Sequence, residues 1–380
     1  MQYKVKDVTQ VIEGFAPLSI QEKWDNSGLC IGSPDAPVSS VLFGLDCTPE
    51  LVDEAIECGA DLILELPPVF ALSSAEGFAA GGVQILSQFC DYLCFGAETA
   101  DGDLLMTTAR ALLSDRFPAA LRAHLDAGLS FPAARQAALA DLGLDGKILE
   151  TPNNILAVEY CKAILSQGCS MKPFPIHREG SYHAEIADAE NPSATAVRNL
   201  MLIAHNWRGC VPKQVRALFE TAPLHSIDAG ERAILAKLRT MTDAEFESLP
   251  YGSEGLWRKF MHACRECATL EEIITATKSK RYTRTRLDRM LMCAFLGITR
   301  EMLEAEVPYT RVLAFNDHGR SILNGLKKEG GFLNAGEKAD HPYSALETRC
   351  ADLYGLFCVD GPEAPGAEEK YRIYYHKETL

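Results

Sequence analysis

Histidine is absent from the first 123 residues of this 380-residue chain, and His124 is the first of only nine. Imidazole is the commonest metal ligand in proteins and the side chain that most often moves protons near neutral pH. Its absence therefore excludes, from the N-terminal third, any metal site or phosphate-binding turn that depends on histidine.

Long apolar runs are also missing. No stretch approaches the ~20 consecutive apolar residues that a membrane-spanning helix needs. The N-terminus, MQYKVKDVTQVIEGF, has neither the apolar segment nor the cleavage site of a signal peptide. The thirteen cysteines are an odd number and are scattered along the chain. We therefore expect no membrane partner and a cytoplasmic location in which the thiols stay reduced.

Positive charge is scarce, because 37 basic residues face 52 acidic ones and the formal net charge is −15. A chain this acidic repels nucleic acid on average, so any contact with RNA requires a local basic patch. The sequence gives no reason to expect DNA as a partner. The length is too great for one small core and suggests two or three domains.

The order of the apolar segments predicts an α/β fold. A strand in VSSVLFGLD, a helix in PELVDEAIECGA and a buried strand in ADLILEL make one βαβ unit, which requires a parallel sheet. The alternation continues through DYLCFGAE and MKPFPIHR. From about Pro212 the strand signals fade and helical patterns dominate. We predict a Rossmann-type nucleotide-binding domain followed by a mostly helical C-terminal domain, with a soft boundary near residues 206–212.

Three features of the predicted α/β domain point to the carboxyl ends of its strands, where such sheets bind ligands. Gly96 follows a strand, Asn153 and Asn154 stand where a helix N-cap belongs, and Arg178 precedes a second helix start in SATAVR (193–198). Helix N-termini attract phosphate through free N–H groups and the helix dipole. Each feature alone is explained by a turn or a cap, whereas their order along one domain favours a nucleotide site.

One segment is strongly basic. Six cations fall within twelve residues, and only Asp288 opposes them. They are Lys278, Lys280, Arg281, Arg284, Arg286 and Arg289. The apolar residues Leu287, Met290 and Leu291 recur at helical spacing, which predicts one helix with its cations facing outward. Such a face can bind the phosphates of an RNA backbone, and the alternative is a solvated helix surface.

The remaining cysteine, histidine and serine residues do not predict a metal or catalytic site. Cys264-x-x-Cys267 lies close to His262, but a single Cys pair without a second pair predicts two core-facing thiols rather than zinc. No Ser-His-Asp or Cys-His set is evident. We therefore assign no metal ligand and no catalytic residue from the sequence.

From about residue 59 to its end the chain resembles the tRNA(Met) cytidine acetate ligase family of the nucleotidyltransferase-like superfamily. The strings that carry the resemblance are GADLILELPPVFALSSAEGFAAGGVQIL, DYLCFGAE, PNNILAVEYCKAI, PIHREGSYH, SATAVR, SEGLWRKF and KSKRYTRTRLDRML. The resemblance implies that ATP, with Mg²⁺, and acetate give acetyl-adenylate. The acetyl group then passes to N4 of the wobble cytidine of elongator tRNA(Met).

The resemblance also implies residue roles. The family's ATP contacts carry over to Gly96, to Asn153 and Asn154, and to Arg178. Ser193, Thr195 and Arg198 match a region that faces the phosphates in related nucleotidyltransferases. This family opens with a strand and a turn of the type EYNPFHNGH, whose glycine and histidines grip the ATP phosphates. The present chain has no such turn.

Residues 1 to about 65 instead resemble the start of the GTP cyclohydrolase 1 type 2 homologue family. The matching strings are VKDVTQVIEGFAPLSIQEKWDNSGLCIG and VLFGLDCTPELVDEAIECGADLI. Where that family has a His-His-Pro metal motif, this chain reads Glu65-Leu66-Pro67-Pro68, so the metal site does not carry over. We predict a foreign segment at 1–58, a nucleotidyltransferase-like ATP-binding domain at 59–206 and a helical tRNA-binding domain at 207–380.

The two resemblances meet at ECGADLI (57–63), a string that both families can supply. The hypothesis is a fusion at this segment, made by natural recombination or by an error in assembling the gene; the alternative is one divergent protein. Three functions remain open at this point. They are an acetate–tRNA ligase, a tRNA- or nucleotide-binding protein without activity, and a cyclohydrolase-like metal hydrolase.

Overall fold

The computed structural model describes residues 42–44, 60–177, 194–203, 206–211, 216–279, 282–326 and 331–376. The chain divides into two compact units. The first comprises residues Met1–Ala71, Val307–Ala351 and Gly366–Leu380, and the second comprises Leu72–Glu306 and Asp352–Pro365. No helix in the described ranges has the combination of length and apolar character needed to cross a membrane.

The first unit is built on a five-stranded sheet. Its strands are β1 (Leu42–Gly44), β2 (Leu62–Glu65), β5 (Thr310–Phe315), β6 (Phe332–Asn334) and β7 (Tyr374–Tyr375). Its helices are α1 (Pro68–Ala71), α15 (Asp317–Leu326) and α16 (Pro342–Tyr354), the last of which extends past the end of the unit's middle segment. Leu62, Ile63 and Leu64 of β2 are buried, as the apolar run ADLILEL predicts.

The sheet of this unit is mixed. β1 pairs parallel with β2, as the βαβ pattern predicts, and β5 pairs parallel with β6 and β7. β2 and β5, however, run antiparallel. The sequence pattern did not indicate β5, because the strand TRVLAF follows a long helical region and its burial on both faces removes any alternation.

A buried ionic network ties β5 to α16. Arg311 is only 3% exposed and donates from Nε and Nη2 to Oε2 of Glu347, at 3.1 and 2.8 Å. Its Nη1 donates to the carbonyl of Glu337 at 2.6 Å, and the Tyr309 hydroxyl donates to the same Glu347 oxygen at 2.7 Å. Glu368 lies 3.3 Å from the Arg311 Nε. Charges buried this deeply are tolerated only when they are paired in this way.

The second unit begins with an α/β portion. Its strands are β3 (Tyr92–Ala97) and β4 (Lys172–His177), and its helices are α2 (Ala75–Leu86), α3 (Gly102–Leu112), α4 (Phe117–Asp126), α5 (Phe131–Asp141), α6 (Pro152–Ser166) and α7 (Ala194–Leu202). β3 and β4 pair parallel in a sheet of their own. Helix α6 packs against α2, α3 and both strands, and its Ala157, Val158 and Cys161 are fully buried. This central helix therefore fixes the ends of the two strands.

The remainder of the second unit is helical, as predicted. Its helices are α8 (Arg216–Phe219), α9 (Ile227–Thr240), α10 (Asp243–Glu247), α11 (Leu256–Glu266), α12 (Leu270–Thr277), α13 (Arg284–Leu296) and α14 (Arg300–Glu304). Thr242 and Thr269 begin α10 and α12 with complete capping boxes. Phe246 and Phe260 meet edge to face in the core, with ring centroids 6.1 Å apart. The predicted boundaries at residues 58/59 and 206/207 stay predictions.

Candidate nucleotide-binding site

The carboxyl ends of β3 and β4 lie side by side. In their parallel register Gly96 is opposite Ile176, and Ala97 is opposite His177. Because both strands point the same way, the residues that follow them leave the sheet at one edge, where α/β proteins bind nucleotides. The segment after β3 begins with Glu98 and Thr99.

Helix α6 begins at this same edge, but with a different cap from the one predicted. Its N-cap is Thr151, which has an extended backbone, and Pro152 occupies the first helical position. Asn153 and Asn154 lie inside the first turn, so their predicted role as N-caps is wrong. Proline is favoured at the first helical position because it has no N–H to satisfy there, and the helix accordingly starts two residues earlier.

The two asparagines bind the segment after β3 instead. Glu98 accepts three hydrogen bonds from the start of α6. They come from the Thr151 hydroxyl (2.9 Å), the side-chain amide of Asn153 (2.9 Å) and the backbone N–H of Asn154 (2.8 Å). Carboxylates near a helix N-terminus are further stabilised by the helix dipole. The strand end and the helix start are therefore held together.

Asn154 completes this arrangement through its side chain. Its Oδ1 accepts from the backbone N–H of Thr99 at 2.8 Å, and its Nδ2 donates to the Thr99 hydroxyl at 3.0 Å. Asn154 is only 4% exposed. A buried amide whose donor and acceptor are both satisfied orients its partner strongly, because losing either bond leaves a desolvated polar group.

Glu98 is ionised in this setting. Burial raises its pKa, but hydrogen bonds from its own backbone, Thr151, Asn153 and Asn154 outweigh burial and hold the pKa below the usual value. A carboxylate thus occupies the N-terminus of α6. Because this charge repels phosphate, the N-terminus of α6 is unsuited to a phosphate group.

The structure brings together three of the predicted ATP contacts. Gly96 lies two residues before Glu98, which binds Asn153 and Asn154. Arg178 and Ser193 lie outside the described residues. Thr195 lies in α7, with its side chain outside the described part, and Arg198 is exposed on that helix. The assignment of these residues to ATP remains a prediction.

Sequence reasoning missed Glu98, Thr99 and Thr151. A signal was present for each: Glu-Thr at the end of a predicted strand, and Thr-Pro at the start of a predicted helix. The contact of Glu98 and Thr99 with the start of α6 could not be predicted, because residues 98 and 154 are far apart in the chain.

The basic segment does not form one continuous helix. Lys278 is the C-cap of α12, and α13 begins only at Arg284 after the N-cap Thr283. The single predicted helix carrying all six cations is therefore wrong. The physical reason is a turn closed by two backbone hydrogen bonds between Ser279 and Tyr282. Lys280 and Arg281 lie outside the described residues.

The cations of α13 are not all directed into solvent. Arg284 is exposed but forms a two-pronged ion pair with Glu271, at 2.7 and 2.6 Å. Arg286 is half-buried and donates to the Tyr251 carbonyl at 3.0 and 2.8 Å. Arg289 is half-buried as well. The predicted core residues Leu287, Met290 and Leu291 are buried as expected. The prediction that every cation faces outward is wrong.

The described residues do not provide the cyclohydrolase-like metal site. Glu65-Leu66-Pro67-Pro68 runs from the end of β2 into α1 and contains no imidazole. Cys264 is buried, and burial, reinforced by the charge of Cys267, raises the pKa of its thiol to about 12. All ten cysteines in the described part are free thiols.

Comparison with known proteins identifies the class of this fold. The sequence model of the HIGH Nucleotidyl Transferase family matches residues 52–361, which is well over half of the chain. A solved structure of Thermotoga maritima TmcAL, without ligand, superimposes with a TM-score of 0.77 at 25% identity, covering 89% of this chain and 92% of that one. The chain has a nucleotidyltransferase-like fold.

Curated relatives narrow the class further. A tRNA(Met) cytidine acetate ligase of Alkaliphilus metalliredigens is 31% identical over 366 residues, covering 86% of each chain. One from Clostridium novyi is 34% identical over 295 residues, covering 72% of this chain and 74% of the relative. The chain belongs to the tRNA(Met) cytidine acetate ligase family. A Thermotoga maritima TmcAL structure bound with alpha-thio ATP matches with a TM-score of 0.75 at 25% identity.

The N-terminal resemblance is confirmed as well. The sequence model of Duf34/NIF3 (NGG1p interacting factor 3) matches residues 3–74. The two family matches overlap at 52–74, and this overlap contains ECGADLI (57–63), the predicted junction. The chain thus joins the beginning of one family to the body of another.

Proposed function

We propose that this chain is a nucleotide- and tRNA-binding member of the acetate ligase family that activates acetate only very slowly. The observation that carries the proposal is the contact of Glu98 and Thr99 with Asn153 and Asn154, which holds the end of β3 against the start of α6 and supports a binding edge for adenosine there. The substrates are ATP, acetate and elongator tRNA(Met). The reaction is acetylation of N4 of the wobble cytidine, in the cytoplasm.

The proposed chemistry has two steps. An acetate oxygen attacks the α-phosphorus of ATP, pyrophosphate leaves, and acetyl-AMP forms. The N4 amine of cytidine then attacks the acetyl carbonyl, loses a proton and displaces AMP. Neither step requires a covalent bond to the protein, so catalysis depends on donors fixed toward the charge that develops on the phosphates.

The phosphate side of the site lacks its expected donors. The family's histidine-containing turn would lie within the first 123 residues, which contain no histidine. Arg178, Ser193, Thr195 and Arg198 remain as proposed phosphate contacts. Losing one oriented donor typically slows such reactions by ~10²–10³-fold. We therefore expect this chain to bind adenosine but to activate acetate only slowly.

Magnesium fits poorly to the described protein groups at this edge. Mg²⁺ prefers several oxygen ligands, whereas both oxygens of Glu98 already accept hydrogen bonds from the start of α6. In the proposal Mg²⁺ enters with the phosphates of ATP.

Acetate-dependent exchange of radiolabelled pyrophosphate into ATP tests the proposal. We expect a rate barely above the no-acetate control, and a further fall in Asn154→Ala, which removes both bonds to Thr99. Asn199→Ala, an exposed amide on α7, is the matched control and should change nothing. Exchange at the rate of the Clostridium novyi relative would contradict the proposal that this chain has lost groups that bind the ATP phosphates.

The basic segment is the proposed tRNA contact, with its members contributing unequally. Arg284 is neutralised by Glu271 and Arg286 is held by a backbone carbonyl. Lys278 is exposed, and Lys280 and Arg281 add charge within the next three residues. We therefore assign most of the phosphate binding to residues 278–281.

Filter binding of tRNA at several salt concentrations tests this division. In Lys278→Ala the slope of log affinity against log salt should fall by roughly 0.7–0.9, the value expected for one lost phosphate contact. Arg284→Ala should leave the slope nearly unchanged, because its charge is balanced by Glu271. An equal loss in both variants would contradict the assignment, and no loss in either would remove the segment from the tRNA site.

A second candidate function is nucleotide and tRNA binding without catalysis. The complete absence of histidine from the N-terminal third favours it. Tight tRNA binding with no exchange at any enzyme concentration would support it over the slow ligase. A metal hydrolase is disfavoured by the missing imidazoles at residues 65–68.

A further inference from the structure

A cluster in the second unit joins two segments that are far apart in the chain. His225 lies just before α9, while Cys358 and Glu363 lie in the segment 352–365 that returns to this unit. One ligand atom from each of the three residues lies within 4.8 Å of the other two. The histidine is 138 residues from the glutamate, so no spacing motif could reveal the cluster.

The backbone around the cluster is well fixed. His225 and Cys358 form an antiparallel β-bridge, flanked by hydrogen bonds from Ser226 N to the Phe357 carbonyl (2.9 Å) and from Val359 N to the Leu224 carbonyl (2.8 Å). Glu363 N donates to the Gly355 carbonyl at 2.9 Å. These bonds fix the backbone of all three residues.

The imidazole of His225 is oriented as a metal ligand. Its Nδ1–H donates to the carbonyl of Pro223 at 3.2 Å, while Nε2 points to Oε2 of Glu363 at 3.0 Å. The ring stacks on Tyr354 with centroids 4.2 Å apart and planes 12° apart, which restricts its rotation. Histidines that bind metals commonly donate their other ring N–H to a backbone carbonyl in this way.

We propose that His225 Nε2, Cys358 Sγ and one carboxylate oxygen of Glu363 bind one divalent transition-metal ion, with Zn²⁺ the best match. Zinc takes imidazole, thiolate and carboxylate ligands at about 2.0–2.3 Å in tetrahedral geometry. Three protein ligands leave the fourth position to water. Binding releases the proton of the Cys358 thiol to solvent, Nε2 binds the ion through its lone pair, and Nδ1–H keeps its bond to Pro223.

The ion would act as a cross-link. It fastens the segment 352–365 to the loop before α9, where Phe357 already packs against α9 and Phe295. This tether is independent of the nucleotide edge, since it uses none of the residues around Glu98. The metal should therefore change the stability of the second unit without being consumed in any reaction.

Titration of the full-length, reduced chain with Co²⁺ tests the site, because cobalt reports its ligands spectroscopically. We expect one equivalent to bind, with the intense visible bands of tetrahedral cobalt and a thiolate-to-cobalt charge-transfer band, both displaced by Zn²⁺. Cys358→Ser should abolish the charge-transfer band. Glu363→Gln should weaken binding by at least about 10-fold, as loss of even an outer-shell partner does.

Cys267→Ser is the matched control, because it removes a half-buried thiol outside the cluster, and its spectrum should equal that of the unchanged chain. Circular dichroism checks that each variant is folded, and zinc should raise the melting temperature of the unchanged chain but not of His225→Ala. Absence of binding, octahedral cobalt bands, or a charge-transfer band that survives in Cys358→Ser would overturn the proposal.

Discussion

Replacing residues 1–58 with the corresponding N-terminal segment of the Clostridium novyi relative should raise acetate-dependent ATP–pyrophosphate exchange by at least about 100-fold, because it restores oriented phosphate donors. The new segment must supply a strand in place of β1 (Leu42–Gly44), which pairs parallel with β2. The initial rate of pyrophosphate exchange at saturating acetate measures the gain.

The control for this replacement carries the same segment with its histidines changed to alanine. It separates the phosphate-binding histidines from a general improvement in folding, and its exchange rate should stay near that of the unchanged chain. If the replaced chain folds and binds tRNA but exchanges no faster than its control, then the missing turn is not what limits this protein.

Arg311→Met should be the most destabilising single substitution considered for this chain. It removes both bonds to Glu347 and leaves that carboxylate, only 4% exposed, buried without its cation. Breaking a buried ion pair from one side typically costs about 3–5 kcal/mol. Urea denaturation followed by far-ultraviolet circular dichroism should show this loss in the first unit.

Two further variants serve as controls for Arg311→Met. Replacing both partners, with Arg311→Met and Glu347→Leu together, should recover most of the lost stability, because apolar substitutes for a buried pair are often neutral. Lys338→Met breaks an exposed ion pair with Glu369 and should cost at most about 1 kcal/mol. Equal losses for Arg311→Met and Lys338→Met would show that the network adds no more stability than a surface pair.

The central helix and the strand ends could be predicted from sequence because their signals are local. DYLCFGAE and MKPFPIHR are short apolar segments with polar flanks, and both became strands, β3 and β4. The helix after Pro152 was also expected. Its exact start was not, because the choice between Thr151 and Asn153 as cap depends on Glu98, which lies far away in the chain.

The wrong predictions for the basic segment, residues 278–289, also arise from contacts with residues that are distant in the chain. Charge spacing and the apolar residues Leu287 and Met290 suggested one helix, and the helix α13 does bury both. The fate of each cation, however, depends on acceptors from other elements, such as Glu271 on α12 and the Tyr251 carbonyl. Partners of this kind leave no trace in local periodicity.

The strand β5 could not be predicted from the sequence for a different reason. Its residues Val312, Leu313 and Ala314 are all buried, so the strand lacks the alternation that marks a half-exposed strand. Its antiparallel pairing with β2 joins segments from opposite ends of the chain. A pattern read over a short window cannot supply that pairing.

Competition binding with adenosine, AMP and ATP in the presence of Mg²⁺ tests the central claim most directly. The claim is that the edge formed by Gly96, Glu98 and Asn154 still receives the nucleoside, whereas the triphosphate has lost its main donors. The account predicts that ATP binds no more than about 10-fold, or about 1.4 kcal/mol, tighter than adenosine. An ATP affinity about 1,000-fold above that of adenosine would contradict it.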